Sequence, residues 1–460
     1  MLKTKILLLL IVGILYYSKS VLGQQTPKRL VCYYDALNPV KDEYAHYFEK
    51  HFPKALSNCT HLVYSFAQIL PQTFEIRKFR VQPKPRDLKI QFPHLKIFLS
   101  VGGDKLNLKS QYLQFLEAGV VKQKQFNENA KTFLKLNHFD GLDLAFPLPH
   151  NKPRKVHTGF DRVVKNIKKL FTDDEIVDAN AGNHKLQYTN FVRALKNDFV
   201  KANLQLSMTV LPNVNSTWYF DIFKIHKNFE FINLFAFDFL TPKRNPEEAD
   251  YTAPIYFKND ANRLPHYNIE YQVNHWIQNG CPANKLNLGI ATYGRTWKMT
   301  TDSGLSGKPV VESTAGPAYK GKLTQTPGLL SWSEICIKLD TKNMLQKVVD
   351  VQGKYGNYAF RPADKNGNDG IWISYDDPEF AGIKTEYIMQ RGLGGVALYD
   401  LYHDDFQRFC MGPAFPILSR ISQGLGILHQ VHKHNLKGPT YTNQVYPEYA
   451  LKKPYPSRLF

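Results

Sequence analysis

The stretch Phe139-Asp140-Gly141-Leu142-Asp143-Leu144-Ala145-Phe146-Pro147-Leu148-Pro149 decides the fold. It is a short apolar run closed by two prolines, which reads as a buried strand ending where a barrel enzyme would place its carboxylates. Working outward, residues 29–34, 61–67 and 96–103 are further short apolar runs of the same kind. The last ends in Gly102-Gly103, a pair that lets loop backbone pass close to a neighbouring element. Helical patterns lie between the runs. Phe191, Val192, Leu195 and Phe199, for example, fall at i, i+1, i+4 and i+8 on one face. Strand-like runs follow at 204–210, 231–239, 286–291 and 394–398, giving eight strands alternating with helices. That alternation predicts an α/β chain folded as a (β/α)8 TIM barrel rather than a sandwich. A length of 460 residues, 43% hydrophobic and 13% aromatic, is enough for such a core with some decoration.

The signature strand resembles that of family 18 glycoside hydrolases, the chitinases, whose pattern is Asp-Gly-x-Asp-x-Asp-Trp-Glu-x-Pro. Asp140, Gly141, Asp143 and Pro149 keep the frame. Ala145 stands where the third Asp belongs, Phe146 where the Trp belongs, and Pro147 where the proton-donating Glu belongs. The resemblance implies a substrate-assisted mechanism, one of the exceptions to the two-carboxylate scheme, in which the acid protonates the glycosidic oxygen while the sugar's N-acetyl oxygen attacks. Proline has no proton to give and alanine no oxygen to orient the N-acetyl group. Proton transfer alone is worth about 100- to 10,000-fold in rate, so the expectation is a protein without hydrolase activity.

The likeness extends along nearly the whole mature chain. Residues 59–67 look like the family's second strand, 96–103 like the third, Tyr293-Gly294-Arg295 like the end of the seventh, and Gly394-Gly395-Val396 with Asp404-Asp405-Phe406 like the eighth. From Trp297 the rhythm stops in a Gly- and Pro-rich segment that runs toward residues 358–360 and 371–373. By resemblance this is a small α+β insertion domain, 297–372, between strand 7 and helix 7. The sixth strand, Phe235-Ala236-Phe237-Asp238, resembles Met-x-Tyr-Asp, and Phe237 lacks the hydroxyl that would bond the reacting N-acetyl group. Tyr399 takes the place of the Trp that floors the sugar subsite and can still stack on a sugar face. Tyr399, Asp238 and Tyr293 are therefore the candidate sugar-cleft residues. The disulfides implied by the resemblance are Cys32 with Cys59 and Cys336 with Cys410, leaving Cys281 unpaired.

A narrower resemblance lies in residues 139–146, 151–157, 211–221, 238–242 and 244–251. These runs are similar to the insect imaginal disc growth factors, secreted chitinase-like proteins without the catalytic Glu. Members carry Gln at the position of Pro147, so this chain departs even from them. The resemblance implies a growth factor promoting proliferation, polarisation and motility of imaginal disc cells, acting through an unknown cell-surface receptor with insulin as co-factor. The alternatives are a chitin-binding lectin and a chitinase with residual activity.

Lys3, Lys5, the apolar residues 6–17 and Val21-Leu22-Gly23 read as a signal peptide over 1–23, which makes the chain secreted and extracellular. The apolar run is too short to span a bilayer, and no later segment spans one. Five cysteines suit an oxidising compartment but form no disulfide scaffold or zinc motif, and no metal or cofactor is expected. The net charge of +19 points to solubility first, then to an anionic glycan as partner; no nucleic-acid recognition motif accompanies it. Lys152, Arg154, Lys155, Lys165, Lys168 and Lys169 form a basic stretch, which together with the Arg244 loop is a candidate partner contact. Asn215 and Asn58 begin glycosylation sequons, with Asn215 favoured because a glycan at Asn58 would crowd Cys59. The barrel is taken over 24–425. Residues 426–460, with His429, His432 and His434, read as a disordered basic tail.

Overall fold

A computed structural model describes residues 27–427, apart from 36–42, 104–108, 150–177 and the single positions 71, 78, 80, 262, 343 and 411. The signal-peptide segment, the basic stretch from Lys152 to Lys169 and the tail from residue 428 on lie outside the described residues, whereas Ile427, expected in the tail, is buried in the core. Eight strands form the barrel: β1 Arg29–Asp35, β2 His61–Ala67, β3 Lys96–Gly102, β4 Gly141–Ala145, β5 Gln205–Val210, β6 Ile232–Leu234, β7 Leu286–Ala291 and β8 Gly395–Tyr399. Each pairs in parallel with its sequence neighbours, and β8 pairs with β1 to close the ring. The runs are continuously apolar because both faces of a parallel strand are covered, one by the barrel interior and one by helices.

The helices follow the apolar stripes. Helices α1 Glu43–Leu56, α2 Pro85–Gln91, α3 Lys109–Glu117, α4 Gly119–Leu136 and α5 Ala181–Lys201 precede or follow the first five strands. On α5, Phe191, Val192, Leu195 and Phe199 are all fully buried. Phe191 packs edge-on against Phe115 of α3 at 5.0 Å between ring centroids, which fixes one helix on the next. Later come α6 Ile269–Gln278, α7 Pro378–Gln390 and α8 Pro416–Gly424. Among the described residues no helix is long and apolar enough to cross a membrane.

Two expectations are corrected. Tyr293-Gly294-Arg295 does not end the seventh strand. It opens a five-stranded antiparallel sheet ordered Leu329–Ser331, Tyr293–Trp297, Ile371–Tyr375, Asn357–Arg361, Gln346–Val348. Thr292 is the point of divergence. Its N–H donates to the Tyr399 carbonyl at 3.0 Å and its hydroxyl to the Asp400 carbonyl at 2.6 Å, so the barrel strand finishes there. The sheet thus begins four residues before Trp297 and runs on to Tyr375. Nor does the sixth strand extend over 231–239. Only Ile232–Leu234 is paired in register, and the chain soon reaches Asp238 with φ 55°, a left-handed geometry that a strand cannot hold.

The disulfides join Cys32 of β1 to Cys59 just before β2, and Cys336 to Cys410. The second ties the helix Trp332–Asp340, next to the antiparallel sheet, to the loop after β8. Cys281 is a free, buried thiol that burial pushes up to about 12. The Gly pair after β3 meets its expected constraint: a Cβ on Gly102 would lie 1.8 Å from the Ala145 carbonyl oxygen, and Gly103 donates its N–H to that same oxygen at 2.9 Å.

Candidate functional site

The carboxyl ends of the strands form the barrel mouth, and the signature residues arrive there by strand alternation. Asp143 and Ala145 point to the barrel interior, while Phe146 points outward onto Tyr112, Phe115 and Tyr188. Pro147 and Leu148 are buried beyond the strand end, where the Leu148 N–H donates back to the Phe146 carbonyl at 2.9 Å. Asp140 does not reach the mouth at all. It sits before β4 at the opposite end of the barrel, accepting from the Ile97 N–H at 2.8 Å and pairing with Lys89 at 2.9 Å.

Asp143 is fully buried and holds three hydroxyl donors: Ser100 at 2.6 Å, Thr209 at 2.7 Å and Ser207 at 2.8 Å. Burial pushes its carboxyl above the usual carboxylate range, against the pull of those three hydroxyls. The bonding continues down the barrel axis. Thr209 spends its proton on Asp143, so the Tyr33 hydroxyl, 2.5 Å away, donates to Thr209. Asn233 donates to Tyr33 at 2.7 Å, Asn287 donates to Asn233 at 2.9 Å, and Arg29 donates to Asn287 at 3.0 Å. Every donor in the chain faces the carboxylate, and a cation stands at the far end. Such aligned bonds polarise one another and fix the barrel interior as one network. Burial lowers Arg29 to about 10, and burial with the nearby Asp143 raises Tyr33 well above its ordinary range.

The sixth-strand residues carry a second carboxylate. Asp238 accepts from the Tyr293 hydroxyl at 2.7 Å and from Arg295 Nε at 2.9 Å and Nη2 at 2.5 Å. Its own carbonyl accepts from the Asn213 side chain at 2.6 Å. Burial alone would lower Arg295, but Asp238 outweighs it and holds the guanidinium well above its ordinary value. Tyr293 is raised by burial and by the same carboxylate. Asp238 is therefore an anchored ion-pair partner at the start of the antiparallel sheet, with both oxygens bonded to protein.

Phe237 and Tyr399 close the floor between these carboxylates. Their rings stack 13° from parallel at 6.2 Å. Tyr399 also lies 5.2 Å from Phe235, 5.7 Å from Tyr33, 5.9 Å from Phe66 and 6.3 Å from Tyr293. It remains half-buried, with its ring packed into an apolar plug. Of the three candidate sugar-cleft residues, Asp238 and Tyr293 are brought together by a hydrogen bond and Tyr399 packs against Tyr293. All three are already engaged with protein.

The two sequon asparagines are largely covered. Asn215 is 9% exposed and caps the short helix Ser216–Tyr219, its side-chain oxygen accepting from the Trp218 N–H at 3.1 Å. Asn58 is half-buried and accepts from Ser422 at 3.2 Å. The Arg244 loop is half-buried too, with the guanidinium donating to the Phe239 carbonyl. Among the described residues, the group of three potential metal ligands is Cys336, Asp405 and Cys410, and its two sulfurs are joined to each other.

Sequence reading missed Ser100, Ser207, Thr209, Tyr33, Asn233, Asn287 and Arg29 as partners of Asp143. The available signal was polar residues at every second position inside an apolar run, as in Gln205–Val210.

The sequence pattern described as glycosyl hydrolases family 18 matches residues 29–404. The chain belongs to this family. Within it, the chain is 54% identical over 420 residues to chitinase-like protein Idgf1 of Glossina morsitans morsitans, covering 86% of this chain and 95% of that one. It is 45% identical over 429 residues to chitinase-like protein Idgf3 of Drosophila melanogaster, covering 89% and 97%. The family fold recurs in the group II chitinase catalytic domain 2 of Ostrinia furnacalis, with TM-score 0.69, 23% identity and coverage of 87% and 96%. It recurs in human YKL-39, described as a pseudo-chitinase with retained chitooligosaccharide binding properties, with TM-score 0.67, 24% identity and coverage of 87% and 100%.

Proposed function

We propose that this protein is a secreted, non-hydrolytic chitinase-like growth factor, released after loss of residues 1–23, that stimulates imaginal disc cells through a surface receptor in cooperation with insulin. The observation that carries the non-hydrolytic reading is the buried end of β4, where Ala145 and Pro147 offer neither an orienting oxygen nor a proton. A general acid must lie within hydrogen-bond reach of the leaving oxygen. The carboxylates of Asp143 and Asp238 are each surrounded by donors from the protein itself. The growth-factor role is supported by kinship with the Idgf chitinase-like proteins over almost their whole length.

Two experiments test this reading. Purified mature protein incubated with chitotetraose should give no shorter products; cleavage above the background of a heat-denatured sample overturns the non-hydrolytic assignment. Added to cultured imaginal disc cells, it should raise proliferation, and more so with insulin. Cells that do not respond to either addition would sink the growth-factor assignment.

A second reading, a chitooligosaccharide-binding lectin, has support from the half-buried Tyr399 ring and from the retained binding described for human YKL-39 on the same fold. Calorimetric titration with chitotetraose separates the two. Sub-millimolar binding that disappears in Tyr399→Ala, with proliferation lost as well, would favour the lectin.

A further inference from the structure

The end of the barrel opposite the mouth holds a cleft of about 500 Å³ lined by Arg86, Lys89, Lys135, His138 and Asn203 over a floor of Phe139 and Leu204. Among the described residues, no carboxylate lines it. Asp140 stands behind Lys89 and is paired with it at 2.9 Å. A second depression of about 250 Å³ shares Lys135 and Ala202 with the cleft and adds Lys131 and Lys201, so the groove continues across the ends of α4 and α5. Its two carboxylates are occupied: Glu128 pairs with Lys131 at 2.7 Å, and Asp198 accepts from Asn127 at 2.8 Å.

The bland role for such cations is to neutralise helix carboxyl ends, since α4 and α5 both finish here. The backbone already performs much of that task. His138 and Asn203 sit in left-handed geometry two residues past each helix, with φ 58° and 55°. The following N–H groups fold back, Phe139 onto the Leu134 carbonyl and Leu204 onto the Phe199 carbonyl, both at 2.9 Å. These closures satisfy terminal carbonyls without a side chain. Among the described residues, the side chains of Arg86, Lys135, His138 and Lys201 make no hydrogen bond or ion pair, and all four are exposed. The charge of the arginine and the two lysines is left for something outside the chain.

We propose that this groove binds a linear sulfated polysaccharide. Three exposed cationic side chains, Arg86, Lys135 and Lys201, follow an open track, and the chain's net charge of +19 steers any polyanion toward it. A peptide would need a sheet edge or apolar pockets for its side chains, and here the barrel strands are paired all round while the floor is shallow. The site lies on the barrel face away from Tyr399, so it is independent of sugar binding or its absence at the mouth.

The test uses the mature protein and a heparin fragment in a salt-titrated binding assay. Arg86→Gln with Lys135→Gln should weaken binding at physiological salt about tenfold and reduce the log–log salt slope by about 1.5, since each neutralised anion contact contributes about 0.7–0.9. Lys308→Gln with Lys320→Gln removes the same charge from the antiparallel-sheet region and should change affinity less than twofold. Thermal melting of both variants verifies folding. Equal losses in the two variants, or no heparin binding by the parent protein, overturns the proposal. Competition by polyglutamate at lower concentration than heparin also overturns it, because the groove would then be a peptide site.

Discussion

At the residue scale, the molecule holds a fully buried carboxylate, Asp143, near Ala145 and Pro147, which carry no acid. Asp143 receives three hydroxyls and ends a hydrogen-bonded chain that starts at Arg29, so its role is to organise the barrel interior. Asp143→Ala would leave those hydroxyls buried without an acceptor and Arg29 without its distant counter-charge. The expected loss is about 3–5 kcal/mol, read from denaturant unfolding, while Asp143→Asn, which keeps an acceptor, should lose less than half of that. Equal costs for the two variants would contradict the network. Tyr399 makes a matching case. Its ring touches five other aromatic rings, and Tyr399→Ala should cost about 3–5 kcal/mol by the same measurement, as for other large aromatic truncations in a packed core. A cost below about 1 kcal/mol would mean that the ring stands in an open subsite instead.

At the scale of elements, the segment after β8 is held by an acid acting across the chain. Phe415 precedes α8 with φ 56° and offers no side-chain cap. Asp404 supplies one, accepting from the Leu418 N–H at 3.0 Å, the Ile417 N–H at 3.4 Å and the Asp405 N–H at 2.8 Å. Burial raises the Asp404 carboxyl to about 7 despite these donors. An acid raised in the folded state stabilises the fold when protonated. Its contribution is full below about pH 4 and is lost as pH rises through about 7. Relative to Asp404→Asn, the parent protein should therefore gain melting temperature as pH falls from 8 to 5. A difference that stays flat over this window would exclude the assignment. The disulfide between Cys336 and Cys410 encloses a separation of 74 residues in the same region. Replacing both cysteines by serine should destabilise the fold by about 4 kcal/mol, on the chain-entropy account, with the loss measured by thermal or urea unfolding.

At the scale of the whole molecule, the barrel presents two unlike ends. The mouth is an aromatic plug flanked by two carboxylates already bonded to protein, and the far end is an open basic groove. The link between the antiparallel sheet and the barrel is electrostatic as well as covalent. Lys384 of α7, fully buried, bonds Asp376 at 2.6 Å just after the sheet's Ile371–Tyr375 strand. Burial lowers the lysine and raises the acid, each opposed by its partner. Lys384→Ala strands a buried carboxylate and should cost about 3–5 kcal/mol, with loss of protease resistance in the sheet before the barrel. Simultaneous digestion of both parts would show that they unfold as one unit.

The eight-strand barrel and the lack of an acidic side chain at Ala145 and Pro147 were legible in the sequence, because both depend on local order. Short apolar runs of strand length, spaced by helical stripes, leave few alternatives to a closed parallel sheet. A proline cannot become an acid in any fold. The Gly102-Gly103 pair was equally readable, since its need for a bare Cα is written in the residues themselves. What the sequence could not state is who meets whom. The hydrogen-bonded network that ends on Asp143 draws on β1, β3, β5, β6 and β7, with bonded partners up to 258 residues apart, and only ring closure makes them neighbours. The early end of β6, the fate of Tyr293 as the start of a second sheet, and the groove made from the ends of α2, α4 and α5 were likewise decided in three dimensions. Hydrogen bonds and charges act across space within a few ångströms, and the distance along the chain does not record that separation.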